Sequence, residues 1–68
     1  MPNYPIFIET FGNESHWYDV SASVSGDAIV AVSGIIDNGY TFLSERDSRD
    51  IFVHIPPIDI RRVTAYLN

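Results

Sequence analysis

Apolar and polar residues alternate along residues 17–24, with Tyr18, Val20, Ala22 and Val24 on one side and Trp17, Asp19, Ser21 and Ser23 on the other. A period of two describes a half-buried antiparallel strand. The same period recurs over residues 50–55, where Ile51, Val53 and Ile55 oppose Asp50, Phe52 and His54. It appears again over residues 39–45, where Thr41, Leu43 and Glu45 oppose Tyr40, Phe42 and Ser44. Residues 6–11 are a short apolar run, fit for a further strand, that ends at Gly12-Asn13. Residues 28–36 are the most hydrophobic segment, with Val30, Val32 and Ile36 on one face and Ile29, Ala31 and Ile35 on the other. Two apolar faces, β-branched content and flanking turns predict the central strand of a sheet, with Gly34 marking a bulge or a close backbone approach.

Turn residues punctuate these runs. Ser25-Gly26-Asp27 predicts a turn with Gly26 at positive φ. Asp37-Asn38-Gly39 carries the Asn-Gly pair preferred at the centre of a tight hairpin, which would join strands 28–36 and 39–45. Residues 45–49 read as a solvated loop, and Pro56-Pro57 ends the strand that follows it. Residues 1–5 hold two prolines and read as a tethered, non-helical start. In the tail, Ile60, Val63, Thr64 and Leu67 fit one helical face with Asp59 as the N-cap, whereas an extended reading puts Ile58 and Ile60 on one face together with Arg62 and fits less well. The expected fold is therefore mainly β. It is a small antiparallel sheet of about five strands, a curled sheet or partial barrel, with a short C-terminal helix covering one edge.

At 68 residues the chain is one domain (residues 1–68), near the lower end of what buries enough surface to fold alone. It has no cysteine, so neither a disulfide framework nor a thiolate metal site is available, which fits a reducing compartment. No apolar run approaches the roughly 18 residues of a membrane span, and the N-terminus lacks the layout of a signal peptide. The expectation is a cytoplasmic protein with no membrane partner.

Charge is distributed unevenly. The formal net charge is −5 and there is no lysine. Residues 1–45 carry Glu9, Glu14, Asp19, Asp27, Asp37 and Glu45 with no basic residue, whereas residues 46–68 carry Arg46, Arg49, Arg61 and Arg62 against Asp47, Asp50 and Asp59. Such a field slows approach to nucleic acid and favours a basic protein surface, although net charge also serves solubility alone.

Motifs of catalysis do not occur: there is no glycine-rich phosphate loop, no nucleophile elbow, no His-Glu-x-x-His and no P-loop lysine. The two histidines, His16 and His54, sit in no nucleophile–base constellation. His16, Asp19, His54 and Asp59 could be imagined around a metal, but their spacing does not support one. Glu45, Asp47 and Asp50 read as a solvated loop rather than a carboxylate pair. No enzyme activity, metal or cofactor is expected.

Gly39-Tyr-Thr-Phe-Leu43 followed by Asp50-Ile-Phe-Val-His54 resembles the two ribonucleoprotein motifs of cold-shock domains, Gly-Phe-Gly-Phe-Ile and Asp-Val-Phe-Val-His. The resemblance implies a barrel whose aromatics stack single-stranded bases, with Tyr40, Phe42, Phe52 and His54 in those positions on one face. It spans about 17 residues; the motif's second glycine is Thr41, the usual lysine is Asn38, and only 13 residues follow Ile55. Very small acidic domains of this kind also resemble phage-encoded inhibitors. The preferred expectation is a non-enzymatic acidic module that binds a basic protein surface and inhibits or regulates that partner. Contacts would come from Trp17, Asp19, Tyr40, Phe42, Glu45, Asp47, Phe52 and His54. The alternative is single-stranded nucleic-acid binding by the aromatic face, and an exposed sheet edge also admits a homo-oligomer.

Overall fold

A computed structural model describes residues 2–67. The described residues are mainly β, and among them are five antiparallel strands in two sheets with no closed barrel. The strands are β1 (Asn3–Thr10), β2 (Ser15–Ser21), β3 (Tyr40–Arg46), β4 (Arg49–Ile55) and β5 (Ile60–Ala65), and one helix, α1 (Ser25–Asn38), connects β2 to β3. β1 lies between β2 and β5, while β3 and β4 pair only with each other. The radius of gyration, 12.6 Å, exceeds the ~11 Å of an evenly compact chain of this length, which fits a hairpin that projects from the body.

β1 begins within the segment expected to be a tethered start, of which Met1 lies outside the described residues. Pro5 is tolerated there because a strand residue presents its N–H and C=O to the same neighbour. The Pro5 carbonyl accepts the Tyr66 N–H at 3.0 Å, so the missing donor faces the end of β5 and costs the ladder to β2 nothing. Ile6 and Ile8 are fully buried on the inner face of β1 and, with Ile35, form the core, against which Val20, Ala31, Val32, Tyr40, Ile60, Val63 and Ala65 pack.

The segment expected to be the central strand is instead α1. Ala28 and Ile35 are buried and Ala31 and Val32 half-buried, the i, i+3, i+4, i+7 stripe of a helix lying on a sheet. Ile29, Val30 and Ile36 are exposed, so the outer face is apolar too and hides the helical period. Ser25-Gly26-Asp27 opens this helix rather than making a turn, and Asp27 sits in its first turn, where a carboxylate complements the positive end of the helix. Gly34 is a mid-helix residue, not a bulge; a Cβ added there meets nothing within 4 Å.

Asn38-Gly39 is a helix stop, not a hairpin. Gly39 takes φ 85° and its N–H returns to the Ile35 carbonyl at 2.8 Å, the arrangement that lets a helix end in a left-handed residue. The true hairpin is the segment expected to be a loop: Arg46 and Arg49 pair across a two-residue turn, with Asp47 at φ 55° and Ser48 at φ 63°. Two successive positive φ values define the type I′ turn that suits a twisted ribbon.

The C-terminal helical turn is confined to Pro57–Asp59, and the tail expected to be helical continues as β5. β5 pairs Arg62 with Glu9 but Ile60 with Thr10, leaving Arg61 as the extra residue of a bulge. The bulge shifts the phase of the strand, so inward positions fall at 60, 63 and 65. A spacing of three followed by two mimics a helical stripe.

Candidate functional site

The hairpin register decides which side chains share a surface. Tyr40 pairs with Ile55, Phe42 with Val53 and Ser44 with Ile51, whereas Thr41 pairs with His54, Leu43 with Phe52 and Glu45 with Asp50. Directly opposed residues lie on the same face. The expected common face of Tyr40, Phe42, Phe52 and His54 therefore does not exist: Tyr40 and Phe42 turn inward, and Phe52 and His54 turn outward. The cause is the turn. A five-residue loop over residues 45–49 would pair Phe42 with Phe52, but a two-residue turn slips the register by one and moves a strand's whole set of side chains to the other face. Glycine at Ser48 removes a left-handed strain of about 1 kcal/mol from a β-carbon. Ser48→Gly is thus expected to raise stability by ~0.5–1 kcal/mol, read from the denaturant midpoint; a loss of stability would contradict the turn geometry.

Inward, the hairpin closes over β2. Tyr40 stacks on Phe42 with centroids 5.6 Å apart, His16 meets Phe42 at 4.6 Å, and Tyr18 meets Tyr40 at 5.8 Å. The exchange of edge and face contacts among these rings adds to their burial. His16 Nε2 is buried with no hydrogen bond, and Glu14 Oε2 stands 3.7 Å away, too far to serve as an acceptor. Between this aromatic ladder and α1 runs an open groove of about 560 Å³ lined by Tyr18, Ala31, Gly34, Ile35, Tyr40 and Phe42 among others.

Burial, with Tyr18 as the lesser cause, holds the Tyr40 phenol above its ordinary value of 10.0. A raised value favours the neutral phenol in the folded chain. This contribution is intact below the unfolded value near pH 10 and is lost as pH rises through the raised one. An ultraviolet titration is expected to show a tyrosine ionising above the ordinary value, with stability falling above pH ~10. Tyr40→Phe removes that late step; a titration unchanged by Tyr40→Phe would contradict the packing.

Outward, the hairpin carries three cross-strand pairs. Thr41 and His54 are joined by a hydrogen bond, Oγ1 to Nδ1, at 2.8 Å. Leu43 and Phe52 follow, 63% and 79% exposed. Glu45 and Asp50 come next, both exposed, with Asp47 in the turn. The arginines Arg46 and Arg49 share the inner-face phase, so beyond the Thr41–His54 pair the outer face is apolar and acidic. Like charges directly opposed destabilise a sheet. Leu43 and Asp50 are not among the expected contact residues; Asp50 shares the face of Phe52 and His54 by alternation, whereas Leu43 joins it only once the turn is known to hold two residues.

Trp17 and Asp19 lie elsewhere, on the outer face of β2. Trp17 packs on Phe7 of β1 at 4.7 Å and on Tyr66 at 5.8 Å, yet remains 60% exposed. The expected division of β2 holds: Val20 packs into the core and Tyr18 reaches Tyr40, while Trp17 and Asp19 face out. Of the expected contact residues, Glu45, Asp47, Phe52 and His54 are brought together, Tyr40 and Phe42 lie behind them, and Trp17 and Asp19 form a separate patch.

Electrostatically, Glu9 is bound to Arg61 at 2.5 Å. Among the described residues no other carboxylate pairs with an arginine. No group of three or more metal-ligating side chains occurs among them, and no helix is long and apolar enough to cross a membrane. Comparison with models of protein families, with curated proteins and with solved structures finds no match to this chain.

Proposed function

We propose that this protein is a non-enzymatic acidic interaction module that docks the outer face of its β3–β4 hairpin on a basic surface of a protein partner, and so inhibits or regulates it. The observation that carries the reading is the outer face itself. The exposed Leu43–Phe52 pair adjoins the opposed carboxylates Glu45 and Asp50. In the free chain that carboxylate pair is a net cost. A lysine or arginine of a partner placed between the two would bridge both and relieve their repulsion, while an apolar pocket beside it covers Phe52 and Leu43. Buried aromatic anchors next to charged contacts are the usual centres of binding energy. The wider surface supports the same reading, since most carboxylates lack a basic partner and steer a basic protein toward the chain.

The reading predicts an affinity that falls steeply with salt, because the steering charges are exposed. The tagged protein and its Glu45→Gln/Asp50→Asn variant are to be used to capture partners at low and at high ionic strength, and the captured protein identified by mass spectrometry. The expected result is a protein with a basic surface, held by the wild type at low salt and lost both at high salt and in the variant. Capture that ignores salt and the two carboxylates would reject the proposal.

A further inference from the structure

We propose that two copies of this chain associate through the free edge of β4, pairing antiparallel about Phe52 to make a continuous four-stranded ribbon. The inference rests on the edge and its sequence, and it stands whether or not a basic partner binds the outer face.

β4 pairs only with β3, and among the described residues its backbone makes no hydrogen bond outside that ladder. Natural edges are guarded by proline, lysine, a bulge or a covering element. β5 shows such guards, an Arg61-Arg62 pair and a bulge opposite Glu9. Arg49–Ile55 has no proline, no lysine and no register shift, and its charged residues, Arg49 and Asp50, stand together at the turn end, leaving residues 51–55 without an arginine or a carboxylate; its central side chain, Phe52, is 79% exposed.

The two-residue turn fixes which backbone groups point outward. Arg46 and Arg49 form the hydrogen-bonded pair that closes the turn, and such pairs alternate along an antiparallel ladder. Ile51, Val53 and Ile55 therefore bond to β3, leaving the N–H and C=O groups of Asp50, Phe52 and His54 directed at the free edge. A second β4 centred on Phe52 matches those groups. It sets Phe52 opposite Phe52, Asp50 of each copy opposite His54 of the other, and Ile51 of each copy opposite Val53 of the other. The pairs from residue 50 to residue 54 are aromatic with aromatic, carboxylate with imidazole, or aliphatic with aliphatic, all favourable across strands. The Thr41 bond occupies His54 Nδ1 and leaves Nε2 for the carboxylate.

A second feature lies at the base of the same edge. A groove of about 280 Å³ is lined by Thr10, Glu14, His54, Ile55 and Asp59 among others. The same register brings Arg49 of the other copy opposite Ile55, and so beside Glu14 and Asp59. Because the strands run antiparallel, the two bodies stand at opposite ends of a ribbon about 23 Å long, seven residues at ~3.3 Å each. The pairing is isologous and therefore closes at two copies.

Two substitutions test the register. Asp50→Arg removes the carboxylate that faces His54, and His54→Asp sets two carboxylates opposite each other, so each variant alone loses the favourable pair. Mixed, they attract, since the new arginine faces the new aspartate and the retained Asp50 faces the retained His54. Sedimentation of the wild type is expected to show a concentration-dependent monomer–dimer equilibrium, each variant to weaken it by roughly tenfold, and the equimolar mixture to restore it. A wild type that stays monomeric up to millimolar concentration, or a mixture that associates no better than its components, overturns the proposal. Capture by cysteine checks the same geometry without relying on charge. The chain has no cysteine, and the exposure of residue 52 means Phe52→Cys should fold. Its Cα atoms would lie ~5.5 Å apart, within disulfide reach. Phe52→Cys is expected to oxidise to a covalent dimer several-fold faster than the similarly exposed Leu43→Cys; equal rates overturn the proposal.

Discussion

Gly39→Ala is expected to destabilise the protein by about 3 kcal/mol or more, enough to populate the unfolded chain at ordinary temperature. Gly39 holds φ 85° and ψ −172°, a region that is essentially closed to residues with a β-carbon and costs ~1–3 kcal/mol to enter. Sterics add to this. A Cβ at Gly39 would lie 2.2 Å from the Ile55 carbonyl oxygen, 3.1 Å from His54 Cε1 and 3.2 Å from Pro57 Cδ. The nearest of these is backbone, which cannot swing aside as a side chain can. Ile55 is also the residue that pairs with Tyr40 to close the base of the hairpin. A clash there opposes the helix stop and the hairpin ladder together. A chain of this length has a total stability of ~3–10 kcal/mol, and each kcal/mol shifts Tm by ~4–8 °C. Thermal unfolding followed by circular dichroism should show a fall in Tm of ~12 °C or more, or no cooperative transition at all. A variant within ~1 kcal/mol of the wild type would show that the helix does not end against β4.

Ile8→Ala is expected to cost ~3–4 kcal/mol, comparable to the whole stability of the domain. Ile8 is fully buried on the central strand and packs in the cluster with Ile6 and Ile35. Truncation leaves a cavity between sheet and helix that the flanking strands cannot close, because β2 and β5 hold β1 from both sides. Phe52→Ala removes a larger side chain from a surface position and should change monomer stability by no more than ~0.5 kcal/mol. The contrast is the informative part. Urea titrations of the two variants, performed at low protein concentration, should differ in midpoint by most of the transition. Equal effects would mean that Phe52 is packed and that the inner and outer faces of β4 are interchanged.

Four of the five strands were legible in the sequence: β2, β3 and β4 because alternation survives wherever one face is buried, and β1 as a short apolar run. Tyr18 against Trp17, and Ile51, Val53 and Ile55 against Asp50, Phe52 and His54, divide in the structure as the period of two requires. The helix was not legible. A run with Ile29, Val30 and Ile36 on its outer face has no polar side to reveal a period near 3.6, and its β-branched residues favour the strand reading. The decisive signals were weak ones, Asp27 in the first turn and Asn38-Gly39 at the end, and the latter is equally a hairpin signal. β5 was hidden by the bulge at Arg61, which converts strand spacing into helical spacing.

At the site, a single step of register separates the expected arrangement from the one observed. Phe52 and His54 were correctly placed on the polar side of β4, and Glu45 shares that face, but Tyr40 and Phe42 were assigned to it as well. Asp47-Ser48 is an unusual type I′ turn, lacking the glycine that would announce it. Without it the loop length, and hence the parity of the ladder, was open by one residue. The corrected parity replaces a row of aromatics suited to stacking bases with an apolar pair beside two opposed carboxylates. The same parity directs the backbone of Asp50, Phe52 and His54 toward the open edge. One turn therefore sets both the docking face and the proposed pairing.

The most direct test of this account compares Phe52→Ser with Trp17→Ser in binding to the captured partner, each variant first shown by circular dichroism to be folded. The account predicts that Phe52→Ser loses roughly thirtyfold or more in affinity, the scale of an anchor worth ~2 kcal/mol, while Trp17→Ser stays within about threefold. Retained binding in Phe52→Ser, or a loss confined to Trp17→Ser, would contradict it and move the contact to the outer face of β2.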